Sequence, residues 1–265
     1  MSRITSIFKQ GHKALIAYIT VGYPDIEATP KIASILADSG CDIIELGIPF
    51  SDPLADGATI QKASYQALLQ GTTPLVCLKV AAEIRRNLSL PLVFMTYYNP
   101  VLNFGLEDFC RSCTRAGING LIVPDLPPEE GLELEAITPR YDLELIYLLA
   151  PTSTEDRIAA VAARSRGFIY LVSLTGVTGA RDSLPPEMEG FVNRVRQSAR
   201  QPLCVGFGVS NPKQAKRIAA VADGVIVGSR LIQLIEEDTS LSKLKSFVAN
   251  LREALDADNN SEEVN

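Results

Sequence analysis

The sequence predicts an α/β protein whose parallel strands close into a single (β/α)8 TIM barrel, and three observations carry that expectation. Eight short runs rich in Val, Ile, Leu and Tyr recur along the 265 residues, separated by segments of helical period, which is the pattern of repeated β-α units. The runs are almost continuously apolar, as strands covered on both faces must be. Polar residues and glycines suited to chemistry stand where the runs end, at Thr20, Glu45, Tyr97, Asp125, Gly208 and Gly228, and barrels carry their chemistry in the loops after the strands. Periodicity alone also allows an open doubly wound sheet; the placement of these residues favours the barrel.

In chain order, strands are expected over 13–21, 42–48, 92–98, 120–124, 144–149, 168–173, 203–207 and 224–227. Helices are expected over 27–39, 59–69, 106–116, 154–163 and 212–221, each bounded by polar, Gly or Pro punctuation. Between the second and third strands there is room for one extra helix, 74–87, set off from 59–69 by the break at 71–73. No Gly/Ser linker or shift of composition divides the chain. Residues 1–255 are therefore expected to form one domain, followed by a polar, acidic, frayed tail over 256–265.

Composition narrows the function. An apolar fraction of 46% supports a core without disulfides or a structural metal. A net charge of −6 with no basic block argues against nucleic acid and acidic membranes as partners. Nothing in the first ten residues resembles a signal peptide, and no apolar run reaches the ~18 residues of a membrane span, so the expected location is cytoplasmic. Five scattered cysteines read as free thiols, with Cys110 and Cys113 buried on a helix. His12 is the only histidine, so a His-based triad or a multi-His metal centre cannot be assembled elsewhere, and acid-base work falls to other side chains unless His12 itself is in the site; it is expected to be a polar residue just before the first strand.

The segment from Glu45 to Gly57, ELGIPFSDPLADG, is the most informative. Glu45 lies among Ile43, Ile44, Leu46 and Ile48, on one face of an apolar strand, where burial would raise its pKa toward neutrality. The loop beyond it is restrained by Pro49 and Pro53 and presents a second acid, Asp56 or its rival Asp52. Late in the chain, glycines cluster after three consecutive strands, at 175–179, 206–210 and 228–229. Glycine lets backbone N–H groups approach phosphate oxygens, and a helix starting just beyond adds its positive end. No P-loop motif occurs, and no lysine falls at a strand's C-terminal end to form a Schiff base. Carboxylate chemistry on a phosphorylated small molecule, without metal or cofactor in this chain, remains.

These segments resemble the tryptophan synthase α family. The resemblance extends over about 8–255 and rests on Glu45 to Gly57, on AYIT at 17–20, VPD at 123–125, the run 173–180, GFG at 206–208 and Gly228-Ser229. It implies a lyase of tryptophan biosynthesis that cleaves indole-3-glycerol phosphate by a retro-aldol step into indole and glyceraldehyde 3-phosphate. Glu45 would be the acid and base, and Asp56 would accept the indole N–H. Gly179, Phe207, Gly208, Gly228 and Ser229 would hold the phosphate. Tyr18, Met95, Ile122 and Tyr170 would line the indole pocket, while Thr178 would orient Asp56 when its loop closes. The resemblance further implies a β subunit carrying pyridoxal phosphate, in an α2β2 heterotetramer. Leu174, Thr175 and Pro124 depart from the residues common in the family. The alternatives are another phosphosugar barrel enzyme, a free-standing lyase, and a mainly regulatory partner subunit.

Overall fold

A computed structural model describes residues 2–172, 186–206 and 208–257. Its parallel strands are β1 (Ala14–Thr20), β2 (Ile43–Gly47), β3 (Leu92–Met95), β4 (Gly120–Ile122), β5 (Glu144–Ile146), β6 (Leu148–Leu149), β7 (Ile169–Val172), β8 (Leu203–Gly206) and β9 (Gly224–Val227). The hydrogen-bonded order is β5-β4-β3-β2-β1-β9-β8-β7-β6. Because β5 and β6 are separated only by Tyr147, the two ends of that list are one interrupted strand, and the sheet comes round on itself as an eight-stranded barrel. Tyr147 interrupts the ladder because its N–H goes to the Ser165 hydroxyl at 3.1 Å instead of to a neighbouring strand. Its carbonyl accepts from the Tyr170 N–H at 3.0 Å.

The helices are α1 (Ala28–Asp38), α2 (Ala58–Leu69), α3 (Pro74–Asn87), α4 (Tyr98–Phe104), α5 (Leu106–Ala116), α6 (Leu132–Ile137), α7 (Glu155–Arg164), α8 (Pro186–Ser198), α9 (Pro212–Val221), α10 (Ser229–Glu237) and α11 (Ser242–Asp256). Among the described residues, the N-cap side chain itself supplies a partner to an otherwise orphaned N–H in α3, α7 and α9: Thr73 to Val76, Thr154 to Arg157 and Asn211 to Gln214. Each such cap contributes about 1 kcal/mol. Among the described residues no single helix is long and apolar enough to cross a membrane.

Strand alternation sorts the core into two regions. Leu15, Ile19, Ile44, Leu46, Phe94, Leu121, Leu171 and Val205 face the helices, whereas Ile16, Ile43, Val93, Ile122, Ile146, Phe168, Cys204 and Ile226 fill the barrel interior. Ile4 closes the floor of that interior, and Phe8 packs against Phe168 with ring centroids 6.1 Å apart. Below the first strand, Asp42 joins three segments: it accepts from the Leu15 N–H at 2.8 Å and pairs with His12 at 2.9 Å and with Arg252 at 3.0 Å. His12 thus serves the closed end of the barrel. All five cysteines are buried and free.

The third strand is shorter than the sequence suggests. It ends at Met95, and residue 98 starts α4 instead, because the Asp125 carboxylate accepts the Tyr98 N–H at 2.9 Å and so caps the helix from another loop. This brings the loops after β3 and β4 together at the open mouth.

Candidate active site

Glu45 sits in the middle of β2 with no exposed surface, in register with Tyr18 on β1 and Val93 on β3. Its alternation with Ile44 and Leu46, which face the helices, aims the carboxyl into the barrel. Neither carboxyl oxygen has a hydrogen-bond partner among the described residues. An unpaired buried carboxylate is costly, so the neutral acid is favoured. Burial, and secondarily the charge of Asp56, raises its pKa from the ordinary 4.5 to about 8.

Asp56 comes from the loop after β2. The Asp56 N–H bonds to the Pro53 carbonyl at 3.0 Å, and its own carbonyl accepts from the Gln61 amide at 2.8 Å, which fixes the backbone. The side chain is half-buried, and desolvation raises its pKa to about 6, opposed by a hydrogen bond from the Tyr97 hydroxyl. The rival Asp52 is exposed and bonded to the adjacent Ser51. The loop therefore presents Asp56 to the mouth and Asp52 to solvent.

Two cavities of about 650 and 550 Å³ open at this mouth and share Ile60, Met95, Tyr170 and Gly206, so they form one cleft. One arm has Asp56, Asp125 and Leu148 in its wall. The other has Tyr18, Gly208, Gly228 and Ser229. At that second end α10 starts at Ser229 with Gly228 as its N-cap residue and no side-chain cap, which leaves first-turn N–H groups available to an anion. Gly208 has φ +45°, a left-handed conformation that favours glycine. A third cavity, of about 600 Å³, lies at the opposite end of the strands beside Glu144, Arg166 and Arg200, away from both acids.

Glycine also makes room inside the barrel. A Cβ on Gly47 would overlap the Tyr18 hydroxyl, and one on Gly206 would lie 2.6 Å from the Tyr170 hydroxyl. The two phenols thus lean over glycines of β2 and β8 toward the carboxyl groups. Burial raises both tyrosine pKa values well above the usual range, and the charges of Glu45 and Asp56 reinforce the shift.

Of the residues singled out from sequence, the structure gathers Asp56, Tyr18, Met95, Tyr170, Gly208, Gly228 and Ser229 along one cleft, while Glu45, the register partner of Tyr18, is buried within the barrel, close enough to feel the charge of Asp56, and borders neither arm. Ile122 is fully buried in the interior, in register with Met95 and Ile146, and borders neither arm of the cleft. Thr178, Gly179 and Phe207 lie outside the described residues, as do the whole run 173–180 and the tail from 258. Sequence reasoning missed Leu148, Ile60 and Arg230 as wall residues. It noted Tyr97 only as a strand-end residue, with nothing to show that its hydroxyl meets Asp56.

Residues 4–260 match the family described as "Tryptophan synthase alpha chain". The chain is 59% identical over 256 residues to the tryptophan synthase alpha chain of Dehalococcoides mccartyi, covering 97% of this chain and 100% of that one. Against the Geobacter sulfurreducens alpha chain the identity is 46% over 262 residues, with 96% and 99% covered. A structure of Mycobacterium tuberculosis tryptophan synthase superposes with a TM-score of 0.90 at 40% identity, covering 96% of this chain and 98% of that one. The alpha subunit of Legionella pneumophila superposes with a TM-score of 0.90 at 33% identity, covering 97% and 99%.

Proposed function

This chain belongs to the tryptophan synthase alpha chain family, the lyase subunit that cleaves indole-3-glycerol phosphate, and we propose that Glu45 and Asp56 divide the chemistry of that cleavage. The observation that carries this division is a pair of electrostatically coupled acids, Glu45 fully buried and unpartnered and Asp56 half-buried in the wall of the cleft. Near neutral pH such a pair holds one proton, on Glu45, and one negative charge, on Asp56.

The indole ring would lie in the arm beside Asp56, and the phosphate would take the first-turn N–H groups near Gly228 and Ser229 with the support of Gly208. Glu45 then gives its proton to the ring carbon that bears the side chain. The Asp56 carboxylate accepts a hydrogen bond from the ring N–H and stabilises the positive charge of the indolenine. Glu45, now a carboxylate, takes the proton of the adjacent side-chain hydroxyl. The carbon-carbon bond breaks, its electron pair returns to the ring, and the side chain leaves as the aldehyde glyceraldehyde 3-phosphate. Each turnover gives Glu45 back its proton.

Gly179, Phe207 and Thr178 would complete the site, the first two at the phosphate and the third beside Asp56; Tyr18, Met95 and Tyr170 would contact the ring or its side chain. Ile122 would act from beneath, as a wall behind Met95. The match to alpha chains over nearly their full lengths favours a subunit over a free-standing lyase or a mainly regulatory partner. The expected partner is a β subunit holding pyridoxal phosphate in an α2β2 assembly in the cytoplasm. The test is indole release from indole-3-glycerol phosphate by the purified chain alone and with a β subunit. Slow release alone and strong activation in the complex are expected; no indole in either sample overturns the proposal.

A further inference from the structure

We propose that Tyr97 is a positioning residue for this reaction, clamping the loop after β2 at both ends and holding the Asp56 carboxylate at the mouth. The inference rests on the role given to Asp56 above. The Tyr97 ring stacks on Phe50 at the start of the loop, with centroids 5.2 Å apart and planes 29° from parallel. At the other end its hydroxyl oxygen accepts from the Ala55 N–H at 3.0 Å, which leaves the phenol hydrogen for the neighbouring Asp56 carboxyl, whose charged form Tyr97 favours.

The other hydrogen bonds to residues 50–57 among the described residues come from within the segment or from Gln61 on α2, so Tyr97 is the tie to the loop after β3. Tyr97 is itself well held. It is 4% exposed, and the next residue is fixed by the bond from the Tyr98 N–H to Asp125. A rigid ring on the loop after β3 thereby sets where a charged group on the loop after β2 can stand.

The polarity of the clamp matters. A phenol has one hydrogen, and spending a lone pair on Ala55 leaves that hydrogen for Asp56, which accepts it best as a carboxylate. The titratable groups facing Asp56 are Glu45 on β2, Tyr18 on β1, Tyr170 on β7 and Tyr97, with Asp125 facing Tyr97 from behind. Of these, Tyr97 is the one that favours the charged form of Asp56. Glu45, buried within the barrel with no donor among the described residues, stays protonated; the difference between the two acids is in part the work of this hydroxyl.

The test is the pH dependence of indole-3-glycerol phosphate cleavage by wild type, Tyr97→Phe, Asp56→Asn and the double variant, with the β subunit present. Tyr97→Phe keeps the stacking on Phe50 and loses the bond from the Ala55 N–H together with the donor beside Asp56. It is expected to lower kcat about 10- to 100-fold, the size of a lost bond to a charged group, and to move the acid limb of kcat/KM to higher pH. In the Asp56→Asn background the same change should cost little. Wild-type rate and an unmoved limb in Tyr97→Phe overturn the inference while wild-type cleavage leaves the proposed function standing. An equal loss in both backgrounds with an unmoved limb also overturns it, since that is what a merely structural tyrosine would give. Failure of the wild type itself to cleave the substrate is a failure of the underlying function instead.

Discussion

Tyr18 on β1 and Glu45 on β2 are register partners inside the barrel, and the phenol reaches over Gly47 into the space above the carboxyl. The Tyr18 hydroxyl is engaged with Thr20 at 3.3 Å, so it leaves Glu45 without a bond. A buried acid with no donor is neutral by default, and several predictions depend on that single fact.

Stability should fall as pH rises. The Glu45 carboxyl is raised from 4.5 to about 8 in the folded chain. A raised pKa stabilises the fold fully below the unfolded value and loses that contribution as pH climbs through the folded value. Glu45→Gln has no such group to ionise, so it should be the more stable of the two at pH 8, by about 1–4 kcal/mol, and similar at pH 4.5. Denaturant melts of both proteins at the two pH values measure this.

The rate should have two limbs. Cleavage needs Asp56 ionised and Glu45 protonated, so kcat/KM should fall below pH about 6, where Asp56 gains a proton, and above pH about 8, where Glu45 loses one. The apparent values belong to the coupled pair. A rate that rises steadily from pH 5 to 9 would assign the proton to a different group.

Much of this architecture was legible beforehand, and the misses have physical causes. Almost continuously apolar runs define the strands, and an acid inside one of them, Glu45, stands out because burial there is costly. Strand ends were less legible: 92–98 continues apolar and aromatic, yet the strand stops at Met95 because a distant carboxylate, Asp125, captures the Tyr98 N–H. Tyr147 splits one expected strand in two for a similar reason, through Ser165. Asp52 and Asp56 could not be separated within one loop; the proximity of Tyr97, on the loop after β3, to Asp56 separates them. Ile122 could not be told from a pocket residue, since depth inside a barrel depends on strand stagger.

Gly206 should not tolerate a side chain. Alanine there would bring Cβ 2.6 Å from the Tyr170 hydroxyl in a closely packed interior. Gly206→Ala is expected to cost about 1–3 kcal/mol, and the cost should shrink in a Tyr170→Leu background. A double-mutant cycle by denaturant unfolding reads the coupling; additive effects would mean that the ring does not fill that space.

Asp42 should matter for stability and not for turnover. Asp42→Ala leaves the Leu15 N–H and Arg252 without this shared acceptor at the closed end of the barrel. A loss of about 2–4 kcal/mol is expected, with kcat unchanged at a temperature where the variant stays folded. Thermal melts paired with an indole assay distinguish the two effects.

The most direct test of Glu45 is a single-turnover measurement of indole release from indole-3-glycerol phosphate, comparing wild type with Glu45→Gln in the β-subunit complex near pH 7. Glutamine keeps the shape and cannot deliver or recover a proton, so release is expected to fall by at least about 10³-fold while β-subunit binding is retained. Release at the wild-type rate would contradict the assignment of the acid and base to Glu45.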